Sequence, residues 1–269
     1  MTLTTLRLSS AGRAVALRDH GTGAPVVLLH GVGMQSAAWA PQIDHLSQTM
    51  RVIAVDLPGH GGSDPLPVGS TLQDYVTWCA DLLDSLDLGP ISLAGHSMGA
   101  LIAGGYASLY PDRLRRVALL NGVTKRSAAA RAAVEARAAA IRAGDIDHAA
   151  PLARWFPSAA HGGARAQVKD WLETVDPAGY ATAYTAFAQG DATYAADVHR
   201  ITCPFLALTG TDDLNSTPAM SHAMAARAPH GRAAVIQGHG HMMNLTAPDA
   251  VNAHLLTWIK TPAMAQVAS

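Results

Sequence analysis

The chain has 269 residues, enough for one α/β domain with an insertion or for two smaller domains. It is 49% hydrophobic and 14% charged, so it can bury a sizeable core and wholesale disorder is excluded. A net charge of −1 without a basic stripe speaks against a nucleic-acid partner, and no apolar run is long enough to span a bilayer.

The first half of the chain alternates short apolar strands with helical segments. Strand patterns occur at residues 3–9, 13–18, 26–29 and 51–55, the first two of which predict a hairpin. Helices are predicted around residues 37–48 and 72–86, and a capping-box pattern that begins at Ser70 precedes the second helix. This alternation is typical of a parallel sheet with helices on its faces.

A Gly-x-Ser-x-Gly pentapeptide joins a short apolar strand at 91–94 to a helical pattern that begins near residue 100. Side chains at Gly95 or Gly99 would clash across such a tight turn, and the turn holds the Ser97 hydroxyl above the sheet edge. The N-terminal N–H groups of the following helix favour negative charge at the same place. We therefore interpret Ser97 as a nucleophile on a strand-to-helix elbow.

In the second half of the chain the alternation stops and then resumes. After a further strand predicted at 117–120, residues 122–200 contain helix formers and turn residues without a strand pattern. Strands are again predicted at 204–208 and 233–236. A final helix has its apolar face at Val251, Leu255, Trp258 and Ile259, and residues 262–269 have the composition of a frayed tail. We predict a core domain formed by residues 1–121 and 201–269, with residues 122–200 inserted as a helical cap.

Polar residues follow each predicted strand, and ligands of parallel α/β sheets bind at that edge. These residues are His30, Asp56, Ser97, Asn121, Asp212, Asp213 and His241. A nucleophilic serine needs a base to take its proton, and the base needs an acid to fix its tautomer. The chain supplies these types in the order Ser, Asp, His, with His241 as the expected base and His239 as its rival, and with Asp212 and Asp213 as candidate acids.

With this order of residues, the chain resembles the α/β-hydrolase fold family of serine hydrolases over essentially its whole length. The resemblance implies a mainly parallel eight-stranded sheet flanked by helices, with the cap inserted before the last two strands. Within the family the chain looks most like 3-oxoadipate enol-lactonases and neighbouring esterases. The pieces that match are Ala153-Arg154-Trp155-Phe156, Gly179-Tyr180, Gly210-Thr211-Asp212-Asp213-Leu214 and Thr217-Pro218-Ala219. Two positions depart from the lactonases, which usually have Leu at His96 and a different sequence at His30-Gly31.

The resemblance also selects among the candidate acids. In this family the acid stands three residues after the glycine that ends its strand, which is Gly210 here, so Asp213 is the expected triad acid. The family's alternative acid position holds Asn121, which has no charge to contribute. The expected oxyanion hole uses the backbone N–H groups of Met98 and Val32.

The remaining site predictions concern the pocket and possible cofactors. Candidate pocket residues are Met34, Trp39, Arg154, Trp155 and Phe156. His239 and His241 lack the further ligands of a metal site, and the expected reaction needs no cofactor. Cys79 and Cys203 have no metal-site or CxxC spacing, and residues 1–7 lack the apolar core of a signal peptide, so a cytoplasmic location is expected.

The predicted function is hydrolysis of a small carboxylic ester or lactone through an acyl-enzyme. Alternatives are a carbon–carbon bond hydrolase of ring-cleavage products, a cofactor-free haloperoxidase and a ligand receptor that keeps the hydrolase geometry. Carbon–carbon hydrolases resemble this chain but usually have Trp after the catalytic His, where Met242 stands here. The expected partner is a small molecule, without nucleic acid or membrane, and the sequence leaves the oligomeric state open.

Overall fold

The computed structural model describes residues 2–10, 12–157 and 159–262. Their centre is one eight-stranded sheet with the order β1-β2-β4-β3-β5-β6-β7-β8. The strands are β1 (Thr4–Arg7), β2 (Ala14–His20), β3 (Pro25–Leu29), β4 (Arg51–Val55), β5 (Ile91–His96), β6 (Leu114–Leu120), β7 (Phe205–Gly210) and β8 (Gly231–Ile236). The pairs β1–β2 and β2–β4 are antiparallel and the other five pairs are parallel, which confirms the predicted mainly parallel sheet.

Ten α-helices flank or cover this sheet in the described residues. They are α1 (Ala40–Leu46), α2 (Leu72–Leu86), α3 (Met98–Leu109), α4 (Ala128–Arg142), α5 (Ala149–Trp155), α6 (Gly162–Thr174), α7 (Pro177–Gly190), α8 (Pro218–Arg227), α9 (Met243–Thr246) and α10 (Pro248–Lys260). No described helix has both the length and the apolar character that a membrane span needs.

Both faces of the sheet are buried because alternate residues of its central strands enter different cores. On β3, Val27 and Leu29 pack into a core with α2 and α3, whereas Val26 and Leu28 pack with α1 and α10 on the opposite face. A strand covered on both sides needs a continuous apolar run, which is why β3 shows no polar alternation. The sheet therefore presents its carboxyl edge, with the loops that follow β3, β5, β7 and β8, as the place for a site.

The segment between β6 and β7 contains helices α4 to α7 and, within its described residues, no strand. This segment touches the core where Gly179 on α7 lies against Gly59 in the loop after β4. The two backbones are so near that a Cβ added at Gly59 would lie 2.5 Å from the Cα of Gly179. Two glycines are thus needed for the backbones to touch at this point. The contact fixes α7 over the loop that follows β4.

Several sequence predictions need correction at element ends. The helix expected at 37–48 is a 3₁₀ turn, Ser36–Trp39, followed by α1. The capping box of α2 begins one residue later than predicted, because the Asp74 carboxylate accepts the Thr71 N–H at 2.7 Å. The predicted frayed tail falls, apart from residue 262, outside the described residues.

Candidate active site

Ser97 occupies a strained turn between β5 and α3. Its backbone has φ 53° and ψ −111°, a conformation that non-glycine residues rarely adopt. A Cβ at Gly95 would lie 2.0 Å from the Gly99 carbonyl oxygen, and a Cβ at Gly99 would lie 2.2 Å from the Leu29 carbonyl oxygen. The Ser97 N–H donates to the Leu120 carbonyl oxygen at 2.9 Å, which ties the turn to β6. The surrounding backbone thus holds the serine hydroxyl at the sheet edge.

His241, in the loop after β8, links Ser97 to Asp213. Its Nε2 lies 3.0 Å from Ser97 Oγ, and its Nδ1 lies 2.8 Å from Asp213 Oδ2. All three side chains are buried. With Nδ1–H donating to the carboxylate, Nε2 is left free to accept the serine proton. The structure therefore brings together the three residues that the sequence predicts as nucleophile, base and acid.

Asp213 is held as a carboxylate by several donors. Its Oδ1 accepts the N–H groups of Asn215 and Ser216 at 2.8 and 3.0 Å, and its Oδ2 accepts Nδ2 of Asn121 at 2.7 Å. Burial opposes ionisation, but the adjacent His241 and these hydrogen bonds outweigh it and hold the pKa of Asp213 below its usual value. Asn121, at the family's alternative acid position, thus supports the carboxylate instead of replacing it.

Asp212 and His239, the alternative candidates for acid and base, lie in different surroundings from Asp213 and His241. Asp212 is exposed, and its Oδ1 accepts the hydroxyl of Thr211 at 2.9 Å. His239 Nδ1 lies 3.1 Å from Thr246 Oγ1, and its ring packs beside His161 with the centroids 5.7 Å apart. The hydrogen-bonded chain to Ser97 therefore runs through Asp213 and His241.

The two expected oxyanion donors belong to different segments, since Met98 follows Ser97 in the chain and Val32 lies after β3. Met98 is the first residue of α3, where a backbone N–H has no intrahelical acceptor. Val32 lies in the loop after β3 and lines the same cavity as Ser97. That these two N–H groups converge on a developing oxyanion stays a prediction.

Two buried histidines brace the loop that carries Val32. His30 Nε2 accepts the Leu57 N–H at 2.9 Å, and His60 Nε2 accepts the Gly33 N–H at 2.9 Å. Accepting at Nε2 requires neutral rings, and burial lowers the pKa of His60 to about 4 and that of His30 well below its usual value. The sequence analysis missed His60, although its place in the Gly-rich turn after β4 was a usable signal.

A cavity of about 390 Å³ opens on Ser97 and His241 beneath α4, α5 and α7. Three arginines line it, Arg126, Arg137 and Arg154, and its lining contains no aspartate or glutamate. The cavity is also lined by Val32, Trp155, Tyr184 and Phe187. Within the described residues, no group of three or more His, Cys, Asp or Glu side chains is placed to hold a metal ion.

Of the five predicted pocket residues, Arg154 and Trp155 line this cavity. The prediction is wrong for Met34, Trp39 and Phe156, which are buried but do not belong to its lining. Met34 and Phe156 pack into the hydrophobic cluster that includes α2, α3 and the helices of the inserted segment, and Trp39 packs on the opposite face of the sheet with α1 and α10. The physical reason is that core packing removes these apolar side chains from water as effectively as a pocket wall would.

Trp155 and His96 enclose the catalytic-base candidate from two sides. The Trp155 ring stacks on the His241 imidazole with the centroids 5.5 Å apart and the planes 27° apart. His96 Nε2 donates to the His241 carbonyl oxygen at 2.8 Å, and burial lowers the pKa of His96 to about 3. The cap residue thus shields the imidazole, and the neutral His96 fixes its backbone.

The fold and this geometry agree with the comparisons with known proteins. A model of the alpha/beta hydrolase family matches residues 26–254, so the chain belongs to that family and is a hydrolase. The crystal structure of the enol-lactonase from Burkholderia xenovorans LB400 superposes with a TM-score of 0.84 at 27% identity, covering 95% of this chain and 99% of that chain. The resemblance on which the sequence analysis relied is confirmed at the level of the family.

Two curated relatives carry more specific names. The (E)-2-((N-methylformamido)methylene)succinate hydrolase of Acinetobacter baylyi is 50% identical over 258 residues, covering 96% of this chain and 98% of that protein. The 2-hydroxy-6-oxo-2,4-heptadienoate hydrolase of Pseudomonas putida is 36% identical over 118 residues, covering 42% of this chain and 43% of that protein.

Proposed function

We propose that this hydrolase cleaves the N-acyl bond of an open-chain, unsaturated dicarboxylate, of the kind named for the Acinetobacter baylyi relative. Ser97 serves as nucleophile, His241 as general base and acid, and Asp213 as the group that orients His241. The small-molecule partner is thus an anionic substrate instead of a plain ester or lactone. No cofactor takes part in the proposed steps.

The observation that carries the proposal is the charge of the cavity. Arg126, Arg137 and Arg154 line the space above Ser97, and no acidic residue shares that lining. A chain with a net charge of −1 has no general excess of cations to place there. Guanidinium groups bind carboxylates through paired hydrogen bonds, so this cavity favours a substrate with carboxylate groups.

The first half of the reaction transfers the acyl group to the serine. Ser97 Oγ attacks the formyl carbon while His241 Nε2 takes the hydroxyl proton, and the N–H groups of Met98 and Val32 stabilise the oxyanion. The C–N bond then breaks, and His241 gives its proton to the departing nitrogen. Conjugation of that nitrogen with the C=C bond and its carboxylate makes it a better leaving group than an ordinary amide nitrogen.

The second half returns the enzyme to its starting state. A water molecule gives its proton to His241 and attacks the formyl–Ser97 ester, and the oxyanion forms at the same N–H groups. The C–O bond to Ser97 breaks, Ser97 recovers its proton from His241, and formic acid leaves and ionises to formate and a proton in water. The stacked Trp155 keeps one face of the imidazole from water during both halves.

The names of the relatives favour an open-chain unsaturated acid over an ester or lactone. They therefore support the alternative of a ring-cleavage type of substrate more than the ester or lactone expected first from the sequence. A second candidate function is therefore hydrolysis of a carbon–carbon bond in a ring-cleavage product. The match to the heptadienoate hydrolase favours it, although that match spans 42% of this chain. The first candidate remains our proposal because the relative that supports it is 50% identical over 96% of the chain.

A substrate panel distinguishes these possibilities. We expect kcat/KM for (E)-2-((N-methylformamido)methylene)succinate to exceed that for its neutral diamide by on the order of 100-fold or more, because the diamide leaves the arginines unpaired. 2-Hydroxy-6-oxo-2,4-heptadienoate and p-nitrophenyl acetate complete the panel. A preference for the heptadienoate would establish the carbon–carbon reaction, and a preference for the acetate ester would establish a simple esterase.

A further inference from the structure

Arg126 differs from the other two cavity arginines in its burial. It lies between β6 and α4, and only 8% of its surface is exposed, whereas Arg154 is exposed and Arg137 is half-buried. A charged side chain is rarely buried to this degree unless its surroundings compensate the charge. Arg126 must therefore have partners that stabilise its charge.

One end of the guanidinium group is fixed from α7. Its Nη1 donates to the carbonyl oxygens of Phe187 and Ala188, both at 3.3 Å, and lies 3.4 Å from Asp191 Oδ1. The guanidinium carbon sits 4.5 Å from the centre of the Phe187 ring. The same carboxylate accepts the Arg126 backbone N–H at 2.6 Å. These contacts hold the side chain in one orientation.

The other end of the guanidinium group is unsatisfied. Within the described residues, Nη2 of Arg126 is buried and has no hydrogen-bond partner. Asp191 does not neutralise Arg126 alone, since its Oδ1 also lies 3.0 Å from Nη2 of Arg131. A buried N–H of a charged group that lacks an acceptor is costly, and a carboxylate that displaced the groups around Nη2 and accepted from it would remove that cost.

We propose that Arg126, fixed by Asp191 and Phe187, is a carboxylate-binding subsite that selects dicarboxylate substrates for Ser97. The inference deepens the proposed function and rests on it for the identity of the substrate. Arg126 and Ser97 line the same cavity, so one ligand can reach both. The more exposed Arg137 and Arg154 are then available to the second carboxylate.

The test measures binding without turnover. Ser97 is labelled with a fluorophosphonate at increasing concentrations of methylenesuccinate, and the slowing of labelling gives a dissociation constant. We expect saturable protection in the wild-type protein and a loss of affinity of about 10- to 100-fold in Arg126→Gln, the effect of removing a charge-assisted hydrogen bond. The neutral diamide of methylenesuccinate should protect both proteins equally poorly.

Arg142→Gln is the matched control. Arg142 ends α4 and donates from Nη1 to Thr185 Oγ1 on α7 at 3.1 Å, so like Arg126 it contacts α7, but it does not line the cavity. We expect its affinity for methylenesuccinate to stay within about threefold of wild type. Arg126→Lys keeps the charge without the planar fork and should weaken binding less than Arg126→Gln does. The unprotected labelling rate reports whether each variant keeps an intact Ser97 site.

The outcomes separate this inference from the proposed function. Equal protection of wild type and Arg126→Gln overturns the subsite, and so does an absence of protection in the wild type. If Arg126→Gln does not fold, protection of Arg126→Lys equal to wild type overturns it instead. Arg126-dependent protection by methylenesuccinate, in a protein that does not hydrolyse the formamide, would leave the subsite standing and refute the proposed reaction.

Discussion

Two adjacent carboxylates, Asp212 and Asp213, differ completely in their surroundings. Asp213 is buried and hydrogen-bonded to His241, and Asp212 is exposed. An Asp213→Asn amide would favour the wrong tautomer of His241, so we expect kcat to fall on the order of 10³- to 10⁴-fold. The measurement is kcat on the preferred substrate of the panel, with thermal unfolding as the control for folding.

Asp212→Asn is the matched variant, because it makes the same chemical change one residue away. We expect kcat to stay within about twofold of wild type, since a solvated charge contributes little. A large loss in Asp212→Asn together with near-normal turnover in Asp213→Asn would show that the hydrogen-bonded geometry identifies the wrong acid.

At the scale of elements, the loops after β3 and β4 are joined by neutral histidines. His30 and His60 accept N–H groups from the opposite loop, so protonation would break both contacts. Each has a pKa lowered by burial, to about 4 for His60 and well below the ordinary value for His30. An unfolded histidine titrates near 6.5, so below that pH the unfolded chain binds more protons than the folded one.

This difference predicts that the protein loses stability as the pH falls from about 6.5 towards 4. Each buried neutral histidine adds up to about 1.4 kcal/mol per pH unit to the slope of the unfolding free energy. Urea unfolding between pH 7 and pH 4.5 measures that slope, and His30→Asn should reduce it. His60→Asn should reduce the slope as well, because His60 makes the second of the two contacts. A wild-type stability that does not change over this interval would refute the neutral-histidine account.

At the scale of the whole molecule, local patterns predicted the sheet and the elbow because their causes are local. The apolar run of β3 reflects burial on both faces, and Gly95 and Gly99 reflect clashes within one turn. The cavity could not be predicted in this way. Arg126 meets Asp191 across 65 residues of chain, and only the folding of α7 back towards β6 brings them together.

The errors have a similar origin. Met34, Trp39 and Phe156 were expected in the pocket because an apolar side chain looks the same in a sequence whether it lines a cavity or fills a core. The shifted capping box of α2 arose where Ser70 and Thr71 are adjacent and both suit an N-cap. Such choices depend on packing and geometry that a single sequence does not display.

The molecule as a whole combines the hydrogen-bonded chain of Ser97, His241 and Asp213 with a cavity lined by three arginines. In the proposed reaction Ser97 removes the formyl group from an open-chain dicarboxylate, and the stoichiometry of formate release measures this step most directly. We expect wild-type protein incubated with (E)-2-((N-methylformamido)methylene)succinate to release one formate for each substrate molecule consumed, and Ser97→Ala to release none above the uncatalysed rate. Substrate consumption without formate, or turnover by Ser97→Ala at the wild-type rate, would contradict the account.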